Sequence, residues 1–217
     1  MIYADNAATT KISDSVLDKM LPFLQEQFGN ASSQYSLGTK ARRAIEQARQ
    51  QVAMAIGAEH SEIVFTSGGS ESNNWVLSSV NKGHVITSSI EHHSVLNSCH
   101  LLESKGVEVT YLPVDSKGRV SLNNIKEALR SDTILVSIML ANNEIGTIQP
   151  IAEIGEYLRG RSILFHTDAV QAVGHIPVNV KELGVDFLTA SSHKFNGAKG
   201  TGILYKRKGV SLPPLIF

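Results

Sequence analysis

Short apolar runs rich in β-branched residues alternate along this chain with longer segments of helical period, and this alternation predicts most of its elements. Strand-like runs fall at residues 62–66, 84–88, 107–112, 134–138, 163–166, 186–190 and 202–205. Helical periods lie between most of them, at 70–80, 93–105, 122–130 and 151–159. An arm over 1–11 and two helices, near 14–28 and 39–56, precede the first strand. The second helix is rich in Ala, Gln and Arg and stops at Gly57, a residue suited to the position just past a helix end. Apolar runs separated by helices predict an α/β fold, a three-layer sandwich with a mainly parallel sheet covered on both faces and right-handed crossovers. The last three runs stand too close together for a full crossover helix each, so one antiparallel strand is expected near the end of the sheet. Ligands of such sheets bind beyond the carboxyl ends of the strands.

The polar residues gather at those ends. After 62–66 come Ser67, Gly68, Gly69 and Ser70, then a helix. A glycine-rich turn entering a helix offers free backbone N–H groups and the positive end of the helix dipole, which suits a phosphate. The spacing is neither a Walker A nor a GxGxxG pattern, and Ser70 could equally be a plain N-cap. After 84–88 come Glu91, His92 and His93. An imidazole there could stack on an aromatic ligand, bind a metal or sit on the surface. Asn142, Asn143, Glu144 and Gly146 follow 134–138, as a turn or as amide donors at a strand end. Asp168 and Gln171 follow 163–166. A carboxylate ending a buried strand is costly unless paired, so Asp168 calls for a cationic partner, a protonated heterocyclic nitrogen or an arginine. After 186–190 come Ser191, Ser192, His193 and Lys194. A lone lysine is ordinarily a surface residue, but burial beyond an apolar strand would lower its pKa toward a reactive amine. A phosphate cradle, a histidine, an amide, a carboxylate and a lysine together are what pyridoxal 5'-phosphate (PLP) requires.

Composition narrows the field. The 217 residues are 42% hydrophobic, enough for a substantial core, and carry a formal net charge of +0. With no basic or acidic block, electrostatics points to neither nucleic acid nor an anionic membrane as partner. No apolar stretch is long enough to span a bilayer, and residues 1–10 lack the pattern of a signal peptide. The one cysteine, Cys99, excludes an internal disulfide and fits a cytoplasmic location. Its spacing from Leu96 and Leu102 places it on a helix, either as a small buried residue or as a reactive thiol.

The ordered motifs resemble cysteine desulfurases of the NifS/IscS type, in the class V aminotransferase family of fold type I PLP enzymes. The resemblance runs from Tyr3, Ala4, Asp5, Asn6, Ala7, Ala8, Thr9 and Thr10 through Gly29 to Ser33, Phe65 to Asn74, Glu91 and His92, and Asn142 to Gly146. It is clearest at Asp168 to Gln171 and at Ser191 to Lys194. It implies an aspartate aminotransferase-like large domain of the PLP-dependent transferases over 16–217, incomplete at its C-terminal end, after an arm over 1–15 and without the small domain. It implies that Lys194 binds the cofactor covalently and later moves the substrate α-proton, and that Asp168 pairs with the pyridine nitrogen. Gln171 and Asn143 would approach the phenolic oxygen, and His92 would stack on the ring and act as an acid or base. Gly69, Ser70, Ser191 and His193 would hold the phosphate, with Ser192 adjacent. The reaction implied converts L-cysteine to L-alanine and passes sulfur on as a persulfide, to a sulfur acceptor or iron–sulfur scaffold protein or for tRNA thiolation. The family's homodimer is expected.

Ser70 stands where threonine is usual in the family, and Ala31 and Ala198 where prolines are common. Family members are about twice as long, and the apolar ending over 212–217 looks like a chain cut within a domain. This chain alone is expected to bind PLP but to lack the sulfur-accepting cysteine. Other classes remain open: a selenocysteine lyase or aminotransferase of the same family, a non-catalytic chain with the cofactor fold, or a metal hydrolase using His92, His93, His166, Asp168 and His193. The last lacks common zinc spacings and leaves Lys194 unexplained, so no metal is expected.

Overall fold

The computed structural model describes residues 2–216. Met1, at the start of the arm, and Phe217, at the end of the apolar tail, lie outside the described residues. Seven strands form one sheet in the order β1 (Ile63–Thr66), β7 (Gly202–Lys206), β6 (Phe187–Ser191), β5 (Leu164–Asp168), β4 (Thr133–Ser137), β2 (His84–Ser88) and β3 (Glu108–Leu112). Every pair is parallel except the two made by β7, which runs antiparallel to both β1 and β6. The link from β6 to β7 holds only a single 3-10 turn, Ser192–Lys194, too short for a helical crossover. The expected antiparallel strand is therefore present, one place in from the edge. β1 still runs with the majority, so the ends of β1, β2, β4, β5 and β6 share one rim.

Alternation within the strands builds the layers. Val85, Leu135, Phe187 and Leu204 face α3 (Gly69–Ser78) and α4 (His93–Ser104) through Val76, Leu77, Val95, Cys99 and Leu102. Their neighbours Ile86, Val136, Phe165 and Leu188 face the other way. There they meet α2 (Ser36–Ala55), α5 (Leu122–Ala128), α6 (Ile151–Leu158) and α7 (Val180–Leu183) through Ala53, Ile125, Ile154 and Val180. Both faces are covered, so the strands point apolar residues to both sides, with buried Thr, Ser and His among them. Cys99 is fully buried in the α3–α4 layer, the helix-core reading.

Three elements depart from expectation. α1 (Asp14–Gln25) ends before 28, carries Pro22 within it and buries none of its residues. α2 begins at Ser36 rather than 39, and its first turn packs against the preceding loop at Gly38, where a Cβ would stand 2.6 Å from the Asn30 and Ser33 carbonyls. α7 is a single turn that periodicity cannot reveal, capped by the Asn179 side chain and ended by Gly184 at φ 67°. No helix among the described residues is long and apolar enough to cross a membrane.

Candidate active site

The rim made by the strand ends encloses a cavity of about 230 Å3. Nine of the ten expected site residues line it: Gly69, Ser70, His92, Asn143, Asp168, Gln171, Ser191, His193 and Lys194. Ser192 does not. Its hydroxyl turns away to the carbonyls of Ala198 and Thr201 and so holds the loop that returns to β7.

Each wall has a local cause. β1 is followed by Ser67 and Gly68, and α3 starts at Gly69 with Gly68 as its N-cap, which bears no side chain to satisfy the first N–H groups. Ser70 is thus inside the helix and is not its cap. Gly202, at the start of β7, lies against this turn: a Cβ on it would stand 2.6 Å from the Gly68 Cα. Glu71 accepts from the Ser67 N–H at 2.7 Å and braces the turn from below.

Asp168 ends β5 and is 4% exposed. Its partners are neutral: the Asn73 amide donates to Oδ2 at 2.6 Å and the Val170 N–H to Oδ1 at 2.9 Å. The arginine that the sequence allowed as a partner is absent, since no ion pair among the described residues includes Asp168. An amide from the first turns of α3 takes that place. Burial raises the pKa of Asp168, while the two hydrogen bonds and the nearby His92 and Lys194 oppose the rise.

Lys194 follows β6 in the 3-10 turn, and burial lowers its pKa against the raising effect of Asp168 and Asp5. Its Nζ donates to the carbonyls of Ala7 and Ala8 in the arm. Gln171 Nε2 donates to the same Ala7 carbonyl at 2.8 Å. The arm is pinned across the rim by Thr10, whose N–H donates to the His193 carbonyl at 2.8 Å, and by Thr9, whose hydroxyl meets His193 Nδ1 at 3.0 Å. Burial, then the charges of Lys194 and Lys199, lower the pKa of His193.

His92 caps α4: its Nδ1 accepts from the Ser94 N–H at 3.1 Å and lies 2.8 Å from the Ser94 hydroxyl. Asn143 donates to Glu144 at 2.7 Å from the loop after β4. Sequence reasoning assigned no role to Asn73, Ser94, Met139 or Glu91. Glu91 is 5% exposed. Its Oε1 accepts from the Ser88 hydroxyl at 2.6 Å and the Met139 N–H at 2.9 Å, tying the ends of β2 and β4 together. Burial, with Asp168 nearby, pushes its pKa up to about 8. The sequence signal for it is a carboxylate soon after a buried strand, in the same segment as His92 and His93.

The other histidines are scattered. His166 is wholly buried between Ser137 and Thr189, and burial pushes its pKa down to about 3. Among the described residues no three His, Cys, Asp or Glu side chains are grouped so as to hold a metal ion.

A mostly parallel sheet with a lysine, a buried carboxylate and a glycine turn on one rim defines a class of α/β ligand-binding enzyme folds. The chain matches the family model for aminotransferase class-V over residues 2–217 and belongs to that family. It is 55% identical to the cysteine desulfurase IscS of Methanosarcina thermophila over 221 residues, covering 99% of this chain and 55% of that protein. A solved structure described as a NifS-like protein superposes with a TM-score of 0.96 at 44% identity, over 99% of this chain and 61% of that one. Another, described as SspA in complex with cysteine, matches equally, with a TM-score of 0.96 and 44% identity over 100% of this chain and 65% of that one. The chain thus spans little more than half the length of the curated relative.

Proposed function

We propose that this chain is the PLP-binding part of a cysteine desulfurase, which converts L-cysteine to L-alanine and passes the sulfur on as a persulfide. The observation that carries the reading is a single cavity in which Lys194, its pKa lowered by burial, and the buried Asp168 stand beside the N-terminus of α3.

The donor set fits the cofactor. Asp168 is a buried carboxylate with only neutral donors on it, and a protonated pyridine nitrogen would supply the cation it lacks. The N–H groups at the start of α3 have no capping side chain, and a Cβ at Gly69 would stand 2.7 Å from Val170, so the turn is kept bare for an anion. Gly69 and Ser70 would hold the phosphate from that side, and Ser191 and His193 from the other. Ser192 would support them through its loop. His92 would lie on the ring face, with Asn143 and Gln171 at the phenolic oxygen. When bound, PLP supplies an electron sink for charge developing at the substrate α-carbon.

Lys194 is the base in this reading. Its amine faces the cavity from the short turn after β6, and burial favours the neutral form that can take up the substrate α-proton. His92 is placed to move a second proton at its Nε2. Cys99 takes no part in sulfur transfer: it is buried in α4, and burial pushes its pKa up to about 12, far from the thiolate that transfer needs. The acceptor is another thiol, and a sulfur-acceptor or iron–sulfur scaffold protein is the partner. The reading extends to a homodimer in the cytoplasm.

The test is the absorption spectrum with added PLP before and after borohydride reduction, with mapping of the modified residue. A new visible-edge band that borohydride bleaches while fixing the cofactor covalently on Lys194, and that Lys194→Ala abolishes, is expected. A Lys194→Ala protein that keeps the band overturns the reading. Turnover of cysteine, selenocysteine and serine by the intact protein then separates the desulfurase from a selenocysteine lyase or aminotransferase. If no alanine accumulates from cysteine, the desulfurase assignment fails while the cofactor site stands.

A further inference from the structure

Asp168 and His92 come from different strand ends, and nothing in their own segments sets one against the other. Asn73, on the second turn of α3, lies between them and is 1% exposed. One Nδ2 hydrogen goes to Asp168 Oδ2 at 2.6 Å, and Nδ2 stands 2.9 Å from the Ser94 hydroxyl. Ser94 Oγ is in turn 2.8 Å from His92 Nδ1. The direction of this chain is fixed by counting protons. An amide nitrogen donates only, so the Ser94 oxygen accepts from Asn73, and its own proton is free to turn to His92. His92 Nδ1 also accepts from the Ser94 N–H at 3.1 Å. Nδ1 therefore carries the lone pair and Nε2 carries the proton.

We propose that Asn73 and Ser94 are positioning residues that couple the ionised form of Asp168 to the Nε2–H tautomer of His92 through one directional hydrogen-bond chain. The cost is visible on the far side of the same amide: Asn73 Oδ1 is buried with no hydrogen-bond partner. Turning the amide over would bring that oxygen against the Asp168 carboxylate, so the Asp168 contact sets which way the amide points. An unpartnered buried carbonyl disfavours folding, so it is retained here for what the nitrogen end does. Glu91, from the end of β2, and Lys194, from the turn after β6, are the other ionisable groups that act on Asp168 or lie within its field, and neither reaches Ser94 by a hydrogen bond. For the proposed reaction, this chain would hold the group at the pyridine nitrogen in its charged form and present an N–H donor from the histidine. It rests on the PLP reading for that use, but its geometry belongs to the protein alone.

The experiment is NMR of the cofactor-free chain, reading the His92 ring nitrogens and the Asp168 carboxyl carbon as pH is varied. The native protein is expected to show His92 as the Nε2–H tautomer. Asn73→Ala should raise the Asp168 midpoint by about one pH unit, the loss of one hydrogen bond to a charged group, and should bring in the Nδ1–H tautomer of His92. Ser94→Ala, which keeps the backbone N–H on Nδ1 but loses the hydroxyl, should raise the share of the Nδ1–H tautomer of His92 in part without moving Asp168, and Ser94→Thr, which keeps the hydroxyl, should restore the native pattern. If Asn73→Ala does not fold, the Ser94 pair still decides the histidine arm. An Asp168 shift with no change at His92 in Asn73→Ala, or tautomers unmoved by Ser94→Ala, overturns the proposal. In parallel, PLP binding to Asn73→Ala should weaken roughly tenfold. A native protein that shows the coupled NMR pattern but no borohydride-trapped Lys194 would sink the cofactor reading and leave the chain of hydrogen bonds in place.

Discussion

β5 and α1 are both short segments with large apolar side chains, yet they use them in opposite ways. Phe165 in β5 is 1% exposed, whereas Leu24 at the end of α1 is 66% exposed and Phe28 just beyond it is 70% exposed. β5 lies between two parallel neighbours and beneath helices on both faces, so each of its apolar side chains meets a layer. α1 has an N-cap, Ser13, and an apolar stripe, but no element of the described residues covers that stripe. Its Val16, Met20, Phe23 and Leu24 instead line a shallow apolar groove. Helical period announces that a face exists and is silent about what will meet it. The chemistry follows the packing: the strand ends over the sheet carry the site, and α1 contributes no residue to the cavity.

The sharpest way to break this contrast is to remove volume from the buried side. Phe165→Ala should lower unfolding free energy by about 3–5 kcal/mol in a urea titration, the range for a large aromatic truncated in a packed core. A loss below about 1 kcal/mol would mean that β5 is not the closed layer described here.

The buried ionisable groups beneath the site predict a stability optimum in mildly acidic solution. The Glu91 pKa is raised from 4.5 to about 8, so the unfolded chain releases its proton first and stability falls as pH climbs through that window. The raised pKa of Asp168 acts in the same direction. His166 is lowered from 6.5 to about 3, so stability falls as pH drops from 6.5 toward 3. The two limbs oppose each other between about 4.5 and 6.5, where the maximum should lie. Glu91→Gln should flatten the alkaline limb, an effect on the order of a few kcal/mol, and leave the acid limb unchanged. Urea midpoints measured across this pH range would show it, and an unaltered alkaline limb in the variant would refute the assignment.

Smaller effects belong to α1. Ser13→Ala removes a cap that accepts from the Val16 N–H and should loosen α1 by about 1 kcal/mol. The loss should appear as faster amide exchange confined to α1, with the global midpoint almost unmoved. Leu24→Ser should change global stability by less than about 0.5 kcal/mol, because no packed neighbour is lost. The same substitution should reduce self-association in sedimentation, since it interrupts an exposed apolar stripe. A large global loss from Leu24→Ser would show that the α1 face is packed after all.

Much of this is legible in the sequence. Runs such as 134–138 and 163–166 are apolar at all but one position and are separated from their neighbours by helical periods, the pattern of strands covered on both faces, so the α/β class and the layered arrangement followed. The site was legible for a related reason. Asp168 and Lys194 stand immediately beyond buried runs, where parallel strands necessarily deliver their next residues to a common rim. Asn73 and Ser94 could not be read in this way. Both sit within helices, where an Asn or Ser usually faces solvent or caps a turn; Ser94 meets His92 locally, but only the packing of α3 against its neighbours brings Asn73 to both Asp168 and Ser94. For the same reason the amide partner of Asp168 was missed and a cation expected.

The sequence by itself determined which segments are strands, that most run parallel, and which side chains they carry to the rim. Backbone periodicity and the side to which successive residues point are local properties, set by dihedral angles and burial demand. Tertiary structure alone decided the placing of β7 between β1 and β6, the neutral hydrogen-bond partners of Asp168, the burial of Glu91 and the open face of α1. Each of these depends on which surfaces meet. An apolar stripe or a carboxylate costs free energy until a partner covers it, and the identity of that partner is written in segments far away along the chain.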